Sequence, residues 1–348
     1  MGAQHCAARA SLLPSWAHAM LEGLKFPTYT ARTSQPLISL VVPVFNEEES
    51  VGHFAAAIEA VIADSWHEGE ICPRFEIVFV DDGSRDATAA VIRAMCRVDH
   101  RIKLVALSRN FGKEAALSAG LKAATGDAVI PMDVDLQDPP ELIRPMIDLW
   151  LGGAQIVNAK RIDRSQDSFA KRTTSRLFYK TINAIADHPI AVDVGDFRLL
   201  DRSAVTVLNE MTERCRFNKG LFSWIGFRTE TVEYARPARR AGSTKWRVSR
   251  LLALALDGIT SSTTFPLRVW TVIGAVIAAL AFGYALFLVG YTILSGVDTP
   301  GYASIMVAVL FLGGLNLFSL GLMGEYIGRI SVQVRGRPLY IVAETVGF

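Results

Sequence analysis

The chain has 348 residues, room for one sizeable folded domain and a second element, and its 36 Lys and Arg against 34 Asp and Glu leave a net charge of +2. That balance gives no support to a nucleic-acid partner, so only the local placement of charge is informative. Cys6, Cys72, Cys96 and Cys215 show neither CxxC nor metal-ligand spacing, which fits reduced thiols in a cytosolic compartment.

Residues 1–36 lack a basic start followed by a continuous apolar run, so they do not read as a cleaved signal and stand as an N-terminal extension. From Ile38 onward, β-branched runs alternate with helical stretches. ISLVVPV precedes a helix near Glu48 to Ala63, EIVFVD one over Asp86 to Arg97, and IKLVALS one over Lys113 to Ala124. DAVIPMD precedes a helix with Asp138 as its N-cap and Pro139 and Pro140 in its first turn. This alternation predicts an α/β domain over 37–245, a mostly parallel sheet covered on both faces. In such sheets ligands bind beyond the carboxyl ends of the strands. NEEE, DDGSRD, SRN and DVDLQD stand in order at those four ends. No GxGxxG follows the first strand and no GxxxxGK[ST] occurs, which removes the main support for dinucleotide and P-loop readings.

On an extended segment alternate residues face one way, so Asp133, Asp135 and Gln137 can present three oxygen ligands together. Mg²⁺ or Mn²⁺ prefers such oxygens and commonly shares its shell with substrate phosphates. Asp81 and Asp82 precede Gly83-Ser84, a tight-turn signal. Either acid could cap that turn or accept from a nucleobase or ribose, and spacing does not separate the two. Arg161, Arg164, Lys171 and Arg172 then form a basic segment before a helical stretch over Leu177 to Ala186. It reads equally as a solvated face, a lid over a diphosphate or a surface for anionic headgroups.

Trp246 to Ser262 carries Val248, Leu251, Leu252, Ala255, Leu256 and Ile259 at helical spacing, which predicts an interfacial amphipathic helix within 246–266. Val269 to Val297 and Thr299 to Gly324 contain no charged residue, each longer than the roughly 20 residues that cross a bilayer. Two transmembrane helices over 267–328 follow as an expectation, with a C-terminal tail over 329–348. Arg236, Arg239, Arg240, Lys245, Arg247 and Arg250 precede the pair and Arg329, Arg335 and Arg337 follow it, which places both ends in the cytoplasm. Gly324 and Gly328, with Gly313 and Gly314, suggest close helix packing within the hairpin or between subunits of a homo-oligomer.

PVFNEEESV, VDDGSRDAT, LSRNFGKEAALSAGL, MDVDLQDPPELI, GDFRLLDR and RRAGSTKW, followed by the apolar pair, resemble the polyisoprenyl-phosphate glycosyltransferases of family 2. That group contains GtrB-type bactoprenol glucosyltransferases and dolichyl-phosphate mannose synthases, and the likeness runs from Ile38 to Tyr340. It implies a GT-A fold and inverting transfer of a hexose, glucose by the GtrB-type likeness, from a UDP-sugar to undecaprenyl phosphate. The site would be a multi-pass protein's cytoplasmic domain at the inner membrane, in contact with its lipids. By the same resemblance Pro43, Asn46, Glu47 and Asp82 bind the nucleotide, and Asp133, Asp135 and Gln137 hold Mg²⁺ or Mn²⁺ on the diphosphate. Asp196 is the catalytic position, and Arg198 lies close to the acceptor phosphate. Arg161, Arg239 and Lys245 join Arg198 as cations for the phosphate groups. A base role for Asp196 and a positioning role stay equally open. A processive polysaccharide synthase would want a QxxRW motif and more spanning helices, neither of which is present. A silent sugar-nucleotide-binding scaffold sits poorly with intact Asp133, Asp135, Gln137 and Arg198.

Overall fold

The structure, a computed structural model, describes residues 35–66, 72–161, 194–211, 213, 218–234, 265–295 and 301–348. The expected helices over Leu177 to Ala186 and within 246–266 lie outside these residues, as do the 1–34 part of the extension and Arg164, Lys171, Arg172, Arg239 and Lys245. The first half of the chain runs β1 (Leu37–Val44), α1 (Ser50–Ser65), β2 (Arg74–Asp81), α2 (Thr88–Val98), β3 (Ile102–Leu107), α3 (Lys113–Ala123) and β4 (Ala128–Pro131). A 3₁₀ turn (Pro140–Leu142) leads into α4 (Ile143–Leu151), and β5 (Ile156–Arg161), β6 (Val194–Asp201), α5 (Arg202–Glu210), α6 (Asn218–Trp224) and β7 (Thr229–Tyr234) follow. Two long helices, α7 (Phe265–Ser295) and α8 (Tyr302–Val334), precede a last strand, β8 (Val342–Val346).

The eight strands form one sheet in the order β7-β5-β6-β4-β1-β2-β3-β8. β4, β1, β2 and β3 are mutually parallel, as the strand-helix alternation predicts, while β6 and β8 join antiparallel on either side. The central strands are covered on both faces, which is why they read as unbroken apolar runs. Along β1, Ile38, Leu40 and Val42 enter one core with Phe54, Phe79 and Trp150, and Val41 enters the opposite core with Val78, Val80 and Leu117. Helix α3 can lie tight on this second face because Gly120 has no side chain; a Cβ there would run into Val41 and Val80.

At the amino end of the sheet a charge is buried with every partner it needs. Glu76 is 3% exposed and accepts from Ser39 Oγ (2.5 Å), Lys103 Nζ (2.6 Å), Thr125 N (2.7 Å) and Thr125 Oγ1 (2.8 Å). Burial alone would raise its pKa, but the Lys103 ammonium and the Ser39 and Thr125 donors outweigh it and hold the carboxyl below its ordinary range. Gly126 N donates onward to Ser39 Oγ (2.8 Å), so the network ties β1, β2, β3 and the turn before β4.

Three local readings change. The fourth strand ends at Pro131, before the acids. The N-cap of the 3₁₀ turn is Pro139, and Tyr234 on β7 donates to Asp138 (3.0 Å). The segment 329–348 holds the end of α8 and then β8, whose VAETV alternation pairs with the otherwise open edge of β3.

Helices α7 and α8 keep large apolar side chains exposed along their lengths, Leu280 at 69% and Leu317 at 71% among them. Among the described residues no helix is long and apolar enough to cross a membrane. The pair touches where Trp270 Nε1 donates to Ser319 Oγ and the Trp270 and Phe318 rings stand 4.8 Å apart. Glycine does not bring them together: a Cβ at Gly313, Gly314, Gly324 or Gly328 would meet nothing within 4 Å.

Replacing Glu76 by glutamine strands the Lys103 ammonium, whose side chain is 15% exposed, and should cost about 3 kcal/mol at neutral pH. The folded pKa lies below the unfolded value of about 4.3, so the contribution is complete above that pH and disappears as pH falls through the folded value. Urea unfolding of wild type and Glu76→Gln should therefore differ by a constant amount at pH 7 and 5 and converge in stronger acid. A gap that stays constant down to acid unfolding would show that the charge is not what matters.

Candidate active site

Three loops at the carboxyl ends of β1, β2 and β3 are bolted to one another. Asn46 takes a left-handed backbone (φ 55°), which asparagine tolerates, and its N–H donates to Ser84 Oγ (2.9 Å) while its Oδ1 accepts from Arg85 N (2.9 Å). Glu47 N donates to Thr88 Oγ1 (2.9 Å), and Glu48 accepts from Ala87 N (2.8 Å). Gly83 (φ 71°) lets the second loop meet the third, since a Cβ there would stand 2.5 Å from the Arg109 carbonyl carbon. Asp82, 4% exposed, accepts from Phe111 N (2.7 Å) and Gly112 N (2.9 Å). Burial pushes its pKa up, the two backbone donors pull it back, and the neighbouring Asp81 charge adds to the rise.

Over these loops lies a cleft of ≈ 360 Å³ whose lining includes Pro43, Phe45, Glu47, Asp82, Asn110, Lys113, Asp133 and Asp135. Both acids of the DVD motif thus reach it, though not by strand alternation. Past Pro131 the chain turns: Gln137 N donates to Asp135 Oδ1 (3.1 Å), and Leu136 holds φ 53°. A left-handed leucine costs about 1 kcal/mol or more, and its packing against the core opposes that cost. Of the three expected ligands Asp133 and Asp135 line the cleft, and Gln137 follows them on the turn. Among the described residues no three His, Cys, Asp or Glu side chains converge on one metal position. Two carboxylates still suit a Mg²⁺- or Mn²⁺-sized ion, which commonly takes one or two and fills its shell with phosphate oxygens and water.

Lys113, the first residue of α3, joins this acid pair to β6. Its Nζ lies 2.7 Å from Asp133 Oδ1 and 2.9 Å from Asp196 Oδ2. Burial opposes the ammonium charge, but the two carboxylates more than offset that and hold its pKa well above the ordinary lysine range. Arg198, two residues along β6 from Asp196, is 3% exposed and does not reach the cleft lining. Its Nη2 donates to Gly195 O (2.6 Å), its guanidinium stacks on Phe222 (4.1 Å) and its Nε has no hydrogen-bond partner among the described residues. Burial pushes its pKa down to about 10, against the charges of Asp196 and Glu114, so it stays a cation at neutral pH. Arg161 at the end of β5 donates through Nε to Tyr234 Oη (3.1 Å) and lies 3.7 Å from Asp138. Burial works against its charge, while Tyr234, Asp138 and Asp133 favour it, and its pKa rises.

The structure therefore brings Pro43, Glu47, Asp82, Asp133 and Asp135 into one wall and links Asp196 to them through Lys113. It commits Asn46 Oδ1 to the second loop and both Asp82 oxygens to the third, and seats Arg198 beneath the site. In the sequence Lys113 reads only as a helix start. A lysine at a strand-to-helix junction, at the same sheet edge as the acids, is the signal that could have found it.

Residues 39–208 match the family described as glycosyl transferase family 2, and residues 265–330 match the GtrB C-terminal hairpin. The uncharacterized glycosyltransferase sll0501 of Synechocystis sp. is 46% identical over 89% of this chain and 96% of its own length. The prophage bactoprenol glucosyl transferase homolog of Escherichia coli K12 is 48% identical over 88% of this chain and 98% of its own. The bactoprenol glucosyl transferase of Shigella phage SfII is likewise 48% identical, over 88% and 98%.

Lys113→Met removes the ammonium that bridges Asp133 and Asp196. In chelator the variant should unfold at lower temperature than wild type, by an amount worth about 1 kcal/mol. Saturating Mn²⁺ should then raise its melting temperature more than it raises that of wild type, because the ion restores the missing charge. Equal melting temperatures in chelator would mean that the bridge does not hold the site together.

Proposed function

The chain belongs to glycosyltransferase family 2, in its GtrB-type polyprenyl-phosphate group, and on that premise we propose that it moves glucose from UDP-glucose to undecaprenyl phosphate at the cytoplasmic face of the inner membrane. The observation that supports this reading is the Lys113 bridge, which joins Asp133, the acid that would lie beside a donor diphosphate, to Asp196 through one ammonium. Asp133 and Asp135 would hold Mg²⁺ or Mn²⁺, which when bound supplies positive charge against the departing diphosphate. Pro43, Phe45 and Glu47 offer the nucleoside a wall, and Asp82 keeps the opposite loop in place.

The nucleophile is an oxygen of the lipid's phosphate monoester, largely dianionic near neutral pH because its second pKa is about 6. It forms a bond to the anomeric carbon as the bond from that carbon to UDP breaks, a single displacement that inverts the configuration. No strong base is needed. The chain's task is to bring two anionic substrates together, and Lys113, Arg161 and Arg198 supply the positive field for it. Asp196 orients the Lys113 ammonium and a sugar hydroxyl, with Arg198 beneath it as a fixed counter-charge. Arg239 and Lys245 would add cations on the lipid side.

The hairpin α7–α8 is the membrane anchor in this reading. Its exposed leucines, valines and phenylalanines are a poor surface for water. The return of the chain from α8 into the catalytic sheet supports both ends lying on the cytoplasmic side.

Purified protein with Mn²⁺, labelled UDP-glucose and undecaprenyl phosphate should give label in an organic extract, and Asp135→Asn should lower kcat/KM about 100-fold or more. No transfer from any UDP- or GDP-sugar would sink the proposal. In cells, the protein should stay with membranes through an alkaline carbonate wash; release into the supernatant would remove the spanning hairpin.

A further inference from the structure

The strand β8 lies at the far edge of the sheet and has no part in the reaction as drawn. If the chain is the transferase proposed above, we infer that β8 and the two residues before it position the donor cleft, and that Glu344 and Ser108 are positioning residues for nucleotide binding.

β8 runs antiparallel to β3, with Leu104 opposite Val346, Val105 opposite Thr345, Ala106 opposite Glu344, and Leu107 opposite Val342 after a register shift. The pairing continues past the strand: Ser108 N donates to Ile341 O (2.9 Å). Two residues further on the cleft wall begins, with Asn110, Gly112 and Lys113 in its lining. The loop is thus pinned at both ends, by the Ile341 carbonyl where it leaves β3 and by the Asp82 carboxylate at Phe111 and Gly112. Between those pins, Phe111 and Tyr340 pack against the same apolar cluster.

A second tie fixes β8 to the helix behind the second cleft loop. Arg93 on α2 reaches Glu344 with Nε at 3.1 Å from both carboxylate oxygens and Nη2 at 2.8 Å from one. The first residue of α2 is Thr88, whose hydroxyl accepts from Glu47 N in the first loop. One short strand therefore touches the root of the third loop and the helix that follows the second.

Core burial does not account for β8. Its side chains are mostly exposed, so it adds little apolar area, and an ion pair exposed to 38% and 40% is worth about 1 kcal/mol or less. What it adds is backbone pairing at a defined register, which sets geometry. Because seven residues separate Val334 from Val342, the end of α8 and the donor loop are held at a fixed reach from one another. Small displacements of a substrate-positioning loop are expensive, since an error of about 1 Å can cost roughly a hundredfold.

The test uses the full-length protein, a chain ending at Arg337, the single variant Glu344→Arg and the charge swap Arg93→Glu with Glu344→Arg. UDP dissociation constants in Mn²⁺, donor KM, kcat and melting temperature are measured for each. The shortened chain should bind UDP about tenfold more weakly and raise the donor KM alike, with kcat within about twofold. Glu344→Arg should shift UDP affinity and KM the same way, about threefold, and the charge swap should restore both. Unchanged UDP affinity and KM in a folded shortened chain would overturn the inference. If that chain does not fold, Glu344→Arg decides: unchanged values, or a swap that restores nothing, overturn it. A wild-type protein that binds UDP but transfers no sugar would refute the transferase reading instead, while the UDP affinities would still decide the role of β8.

Discussion

Two carboxylates brought close from different strands repel one another at neutral pH, and a cation placed between them removes that cost. Lys113 is that cation for Asp133 and Asp196. Its position depends on the rest of the fold. It opens α3, which sits tight on the sheet because Gly120 allows it, and it follows a loop whose N–H groups Asp82 holds. Asp133 and Asp196 arrive from β4 and β6, antiparallel neighbours that join the parallel half of the sheet to the mixed half. Lys113 thus spans the seam between the parallel strands and the strands that carry the arginines.

The first half of that arrangement was legible in the sequence, and the second was not. β1 to β4 are central and parallel, so their runs are apolar throughout and end in polar clusters, a pattern that a sheet with one wet face does not produce. β5, β6 and β7 are shorter on signal: IVNAKR and VGDFRLLD bury charged or amide side chains, and their pairing depends on partners far along the chain. β8 was hidden for a different reason. VAETV is a weak strand by composition and is ordered by the open edge of β3, which no local pattern reports.

The site residues divide the same way. Asp133 and Asp135 could be chosen from type and position, but the turn that presents them rests on a left-handed Leu136, a conformation against leucine's own preference. Reading the segment as extended set Asp133, Asp135 and Gln137 in one row; in the structure a turn follows Asp135, and the two acids line the cleft. Asn46 and Asp82 were correctly placed at strand ends, yet their side chains are used to fasten loops. Motif position identifies which loop a residue serves, and only the hydrogen bonds identify whether it serves the ligand or the loop.

The two ends of the sheet treat buried charge in opposite ways. At the amino end, Glu76 has four donors within hydrogen-bond distance and its ammonium partner is nearly as buried. At the carboxyl end, Arg198 is equally buried but, among the described residues, its Nε has no partner, nor has Oδ1 of Asn158, its register partner on β5. Asn218 Nδ2, one helical turn from the Phe222 ring under Arg198, is unbonded as well. Each such atom costs about 1–3 kcal/mol, and all three fall on the Asp196 side of the sheet, away from the satisfied Glu76 network. A sheet built for stability alone would satisfy both ends. The satisfied buried charge therefore lies at the end away from the cleft, and the unsatisfied polar atoms lie beneath the cleft itself.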